Sequence, residues 1–244
     1  MDEFMTSRQP DAGAGWIAIG LSDDVPAGCV TGVVLAGRQL ALWRDGEGAP
    51  HLWEDRCPHR GMRMSLGFVR GNDLACLYHG WRFDGAGQCR QIPAHPELKV
   101  SARICMKTFD VAERGGMLWG WHGRDHATGA PDVAASGTAV RSIHAAVPAG
   151  AMRAMLEETP GEFFYGLGQL LPVGGHPDLF SLTMEDGTGE LVLALQPISS
   201  TQCAVHAVLR GQADAALRAE CARRMGWLRD SAERGHDDRQ GADT

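Results

Sequence analysis

Four residues constrain this chain more than any others: Cys57, His59, Cys76 and His79. They read C-x-H, then sixteen residues, then C-x2-H. Each half offers one thiolate and one imidazole from a short segment. Pro58, Gly61 and Gly80 shape tight backbone loops there. A fold that uses both halves must bring two separate loops together, so that they clamp a metal centre from two sides. With 7 Cys and 10 His in 244 residues, four such residues at these offsets arise by chance on the order of 0.001 times in a chain of this length. Coincidence is a poor account of them.

Two kinds of centre use these ligand types. A structural zinc site takes two Cys and two His. A Rieske centre is a [2Fe–2S] cluster with two Cys on one iron and two His on the other. Spacing alone leaves both open. The flanking residues favour the cluster, because Gly61 and Gly80 permit close loops and Trp81 can shield a cluster. Arg60, between His59 and Gly61, belongs to the same surroundings.

Length and composition fix the setting. A chain of 244 residues makes one large domain or two small ones. Its hydrophobic and charged fractions, 44% and 22%, are those of an ordinary globular protein. The net charge is -7, and only Lys99 and Lys107 are lysines. That balance builds no broad basic face for a phosphate backbone, so nucleic acid is not an expected partner. No apolar run approaches the ~20 residues that span a bilayer. The N-terminus has no apolar stretch of a secretory signal, so the expected location is the cytoplasm. The cysteines are Cys29, Cys57, Cys76, Cys89, Cys105, Cys203 and Cys221, an odd number at loose spacing and no disulfide framework. Those outside the two loops read as buried small apolar residues.

The expected fold class is α+β. Residues 1–15 and 236–244 read as disordered ends, 16–123 as an all-β antiparallel domain, 124–138 as a linker, and 139–235 as a smaller domain. In the first domain, Trp16–Leu21, Cys29–Leu35, Gln39–Arg44, His51–Glu54, Trp81–Phe83, Thr108–Ala112 and Met117–Trp121 read as strands between Gly-rich turns. In the second, Leu179–Met184, Leu191–Gln196 and Cys203–Leu209 read as an antiparallel meander. Ala149–Thr159 and Asp214–Glu233 read as helices, the latter with an apolar stripe at Leu217, Cys221, Met225 and Leu228.

The strings DRCPHRG, CLYHGWRFD and IPAHPEL, within Glu54–Trp121, resemble the Rieske domain of Rieske-type non-haem iron oxygenases. Their style is closest to the phthalate oxygenase and aromatic O-demethylase branch. The resemblance implies that Cys57 and Cys76 ligate one iron of a [2Fe–2S] cluster, and His59 and His79 the other. Respiratory Rieske proteins carry an extra cysteine in each loop, where this chain has Met62 and Tyr78, and a serine where it has Trp81. Fewer hydrogen bonds to sulfur imply a potential near the low end of the Rieske range, ~ -150 to +300 mV.

The resemblance also implies a helix-grip domain carrying a mononuclear iron on a 2-His-1-carboxylate triad. The residues do not supply one. In the segment LEETPGEFFYGLGQL, Glu157 and Glu158 fall at the start of the ligand pattern. Gly161 takes the place of its aspartate, Phe164 and Gln169 the places of its histidines. His144, His176, Asp178 and His206 are scattered substitutes, and Asp214 reads as a helix N-terminal acid. The second domain is therefore expected to be a truncated, degenerate helix-grip fold with no mononuclear iron triad.

The expected function is a Rieske oxygenase component of the oxidoreductase class. It would carry electrons from a reductase or ferredoxin to a catalytic oxygenase subunit, in an oligomer. A self-sufficient monooxygenase or demethylase with an atypical iron site is the alternative, and a non-enzymatic redox sensor a further one.

Overall fold

In a computed structural model, the structure describes residues 14–127, 129, 131–158 and 163–242, with side chains described through residue 236. Of the N-terminal residues read as disordered, 1–13 lie outside the described residues. The chain divides into two compact units, one of Ala14–Glu113 with Leu118–Pro131, the other holding Arg114–Met117 and the residues from Asp132 on. The main division falls between Pro131 and Asp132, inside the segment read as a linker.

The first unit is built of short strands: β1 (Gly15–Leu21), β2 (Val30–Leu35), β3 (Arg38–Arg44), β4 (Pro50–Glu54), β5 (Phe68–Arg70), β6 (Asp73–Ala75), β7 (Arg82–Asp84), β8 (Cys89–Gln91), β9 (Thr108–Phe109), β10 (Val111–Arg114) and β11 (Met117–His122). They form three sheets, ordered β1-β11-β10, β2-β3-β4-β9 and β5-β6-β7-β8. The stretch Thr108–Ala112, read as one strand, is two. It breaks at Asp110, whose side chain accepts the Ala127 N–H at 2.7 Å and leaves the strand ladder. A core of Trp43, Trp53, Met64, Leu74 and Phe83 includes the side chains of Cys57 and Cys76. Trp43 meets Trp53 edge-on with centroids 4.8 Å apart, which fixes the base under the two loops.

Among the described residues the second unit has one antiparallel sheet and the helices α1 and α2: β12 (Thr138–Ala145), α1 (Ala149–Glu158), β13 (Gly168–Pro172), β14 (Leu179–Met184), β15 (Gly189–Pro197), β16 (Cys203–Gly211) and α2 (Ala215–Ala242). The strand order is β12-β16-β15-β14-β13. One sheet face, with Ile143, Leu191, Leu193, Leu195, Val205 and Leu209, packs on Met152 and Leu156 of α1 and on Cys221, Met225 and Leu228 of α2. The stripe read from the sequence thus meets the core. Its first member, Leu217, is only partly buried, and Ala232 continues it.

Two readings are corrected. The unforeseen strands β12 and β13 complete the sheet; an irregularity between Ala139 and Arg141 breaks the alternation of β12, and Gly168 and Pro172 bound β13. The tail read as disordered from His236 is helical backbone as far as Ala242. No proline interrupts that stretch, and a helix already nucleated on a core propagates at little cost. Gln169, at the place of the second histidine of the ligand pattern, lies on strand β13.

Candidate metal centre

The two loops are built alike. The first follows β4 and the second is the hairpin loop between β6 and β7, where Ala75 pairs with Arg82. In the first, the Cys57 N–H donates to the Met62 carbonyl at 2.8 Å and the Gly61 N–H to the Cys57 carbonyl at 2.8 Å. In the second, the Cys76 N–H donates to the Trp81 carbonyl at 2.9 Å and the Gly80 N–H to the Cys76 carbonyl at 3.0 Å. Each loop is therefore a six-residue closure with glycine at its fifth position. Gly61 and Gly80 adopt φ of 73° and 68°, the left-handed region that glycine enters without a Cβ penalty.

This closure sorts the four donors into two pairs. Cys57 and Cys76 are both buried, and the Cys76 thiol acts electrostatically on that of Cys57. Burial pushes the Cys57 thiol up to about 11, the adjacent Cys76 adds to the rise, and backbone N–H groups of His59 and Arg60 partly offset it. Those N–H groups favour negative sulfur but do not outweigh burial, so Cys57 would ionise only where a metal compensates its charge. His59 and His79 stand exposed at the surface, with ring centroids 4.7 Å apart. Residual desolvation, then the charges of His79 and Arg60, hold His59 below its ordinary value, favouring the neutral imidazole that ligates metals.

Each imidazole has an aromatic neighbour. Trp81 lies parallel to His59 at 4.2 Å, and Tyr78 stacks on His79 at 3.9 Å. Sequence reasoning points to Trp81 but misses the stacking role of Tyr78, whose place just before His79 is the available signal.

Among the described residues, no three Cys, His, Asp or Glu side chains converge on a single-ion position. The two thiols lie in the core and the two imidazoles at the surface. A two-iron cluster is wide enough to be held by one pair at each end. The donor set and its geometry therefore fit a Rieske centre.

The second unit gathers no comparable site among the described residues. His144 is exposed, His176 half-buried and Asp178 paired with Arg153. His206 is buried between Ser142 Oγ, 2.8 Å from Nδ1, and Gln196 Oε1, 3.0 Å from Nε2. Burial holds His206 down to about 3, so the ring is neutral with both nitrogens engaged. Phe164 is fully buried in the core, Gln169 is exposed, Glu157 and Glu158 are exposed, and Gly161 lies outside the described residues. The Asp214 carboxylate accepts the Leu217 N–H at 2.7 Å, capping α2.

The class follows from the paired loops and from sequence comparison together. Residues 15–109 match the Rieske [2Fe–2S] domain family, and the chain carries a domain of the type found in Rieske non-haem iron oxygenases. It is 41% identical over 105 residues to the oxidoreductase NdmD of Pseudomonas putida, covering 43% of this chain and 18% of that protein. It is 34% identical over 121 residues to the 5,5'-dehydrodivanillate O-demethylase oxygenase subunit of a Sphingobium species, covering 48% of this chain and 28% of that one. The chain thus matches well under two thirds of the length of these relatives. Its fold resembles that of dicamba monooxygenase bound to dicamba, with a TM-score of 0.70 at 18% identity, over 93% of this chain and 89% of that one. That likeness covers fold alone, and the fold is that of Rieske oxygenase components.

Proposed function

We propose that this chain is the electron-transferring component of a Rieske oxygenase system. In this reading Cys57 and Cys76 hold one iron of the [2Fe–2S] cluster and His59 and His79 hold the other. It takes electrons from a reductase or ferredoxin and passes them to a mononuclear iron on a partner chain. The observation that carries the reading is the two-and-two division of donors, with thiols together in the core and imidazoles together at the surface.

The bound cluster would supply one-electron transfer. The chain's own residues do the rest. Burial of the Cys57 and Cys76 thiols keeps water from the sulfur end, and the His59 and Arg60 N–H groups favour charge on Cys57 sulfur. The surface imidazoles put an electron-transfer edge within reach of a partner, and their outward nitrogens can donate to a partner carboxylate. The second unit supports the reading by what fills it. Phe164, Phe180 and Met225 pack between sheet and helices, where an active site would need room. Free thiols suit a reducing compartment such as the cytoplasm. Among the described residues no helix is long and apolar enough to cross a membrane.

A potentiometric titration of the purified protein tests the ligand assignment. The expected midpoint lies toward the low end of ~ -150 to +300 mV, with a Rieske-type EPR signal on reduction. A midpoint near ~ -400 mV would mean all-thiolate ligation and would remove His59 and His79 from the centre.

A further inference from the structure

The aromatic neighbours of the two imidazoles are rooted differently. Tyr78 stacks on His79, the next residue of its own loop. Trp81 belongs to the second loop and stacks on His59, which belongs to the first. Those two rings are 5° from parallel with centroids 4.2 Å apart, so the indole face covers an imidazole face. Trp81 is itself held at two points. Its carbonyl accepts the Cys76 N–H at 2.9 Å and closes the second loop. Its half-buried side chain packs on the core of Trp43, Trp53 and Phe83 that includes both thiols. His59, in contrast, is exposed, and among the described residues no hydrogen bond to its ring competes with the stack.

We infer that Trp81 is the positioning residue for His59: it carries the fixed frame of the second loop across to the first and holds that imidazole in one orientation. This rests on the Rieske reading above and adds to it a residue that acts through a ligand. An exposed side chain without such support samples several rotamers, and it must give up that freedom to bind a metal. Groups that orient a metal ligand typically account for about 10–100-fold in metal affinity. The indole also keeps water from one face of His59. Reduction adds one electron, and so one negative charge, to the centre, and water stabilises added charge. Trp81 therefore holds the potential down. It is neither oxidised nor reduced itself, since the electron passes from the donor to the centre.

The test combines EPR, potentiometry and release of iron to a chelator, all on the intact protein. Trp81→Leu keeps apolar bulk against the core and removes the flat face, whereas Trp81→Phe keeps a flat face. Trp81→Leu is expected to broaden the EPR spectrum, because His59 then takes several orientations, and to speed iron release about tenfold or more. Its midpoint should rise by up to about 59 mV, the equivalent of a tenfold change in a one-electron equilibrium. Trp81→Phe should keep the line shape, with a release rate within about twofold of the unaltered protein. Ile104→Ala trims the same core outside the two loops, so it should lower the melting temperature and leave line shape and midpoint as they are. An unchanged line shape and release rate in Trp81→Leu would overturn the positioning role. The same changes in Ile104→Ala would also overturn it, by marking them as loosened packing. Absence of a Rieske spectrum in the unaltered protein would instead overturn the reading beneath it.

Discussion

His79→Ala is expected to abolish the Rieske-type visible and EPR spectra and to cut cluster content at least about tenfold. Loss even of a group that only orients a metal ligand lowers metal affinity about 10–100-fold, so loss of a direct ligand costs at least that much. The substitution is informative because His79 is exposed and contributes nothing to the core beneath it. Its backbone neighbours Gly80 and Cys76 keep their mutual hydrogen bond, so the second loop retains its closure. Far-ultraviolet circular dichroism should therefore be little changed while the spectra of the centre disappear. An unchanged EPR signal in this variant would show that the second iron takes its nitrogen ligands elsewhere.

Phe164→Ala is expected to cost about 3–5 kcal/mol of stability and to leave iron per chain unchanged. The ring is fully buried in the core of the second unit, so its removal leaves a cavity among packed neighbours. For a chain of this size such a loss lowers the melting temperature by about 10 °C. Calorimetry and iron analysis on the same sample separate the two effects. Loss of iron with little change in melting temperature would show that this position borders a metal site after all.

The two loops were legible in the sequence because loop closure is local. Cys at the first position and Gly at the fifth fix a six-residue loop, and that pattern is written twice, at Cys57–Met62 and Cys76–Trp81. The antiparallel strands were legible where apolar runs stood between Gly-rich turns, as at β3 and β4 or β15 and β16. Strands β12 and β13 were not, because their partners decide them. Thr138–Ala145 pairs along β16 with an irregularity between Ala139 and Arg141 that breaks the alternation a reader would look for. The helical run beyond Glu233 was hidden by its polar composition, which resembles a solvated tail. The division of the donors into a buried thiol pair and a surface imidazole pair is tertiary. Sixteen residues separate His59 from Cys76, and no spacing rule says how the two loops will face each other. The core they share with Trp43 and Trp53 decides it.

The central claim is that this chain holds one Rieske cluster and no second iron. The most direct measurement is iron and acid-labile sulfide per chain in anaerobically purified protein, before and after addition of ferrous iron and removal of the excess. The account predicts about two irons and two sulfides per chain in both samples. A third iron retained after the addition, or zinc without sulfide in the protein as purified, would contradict it.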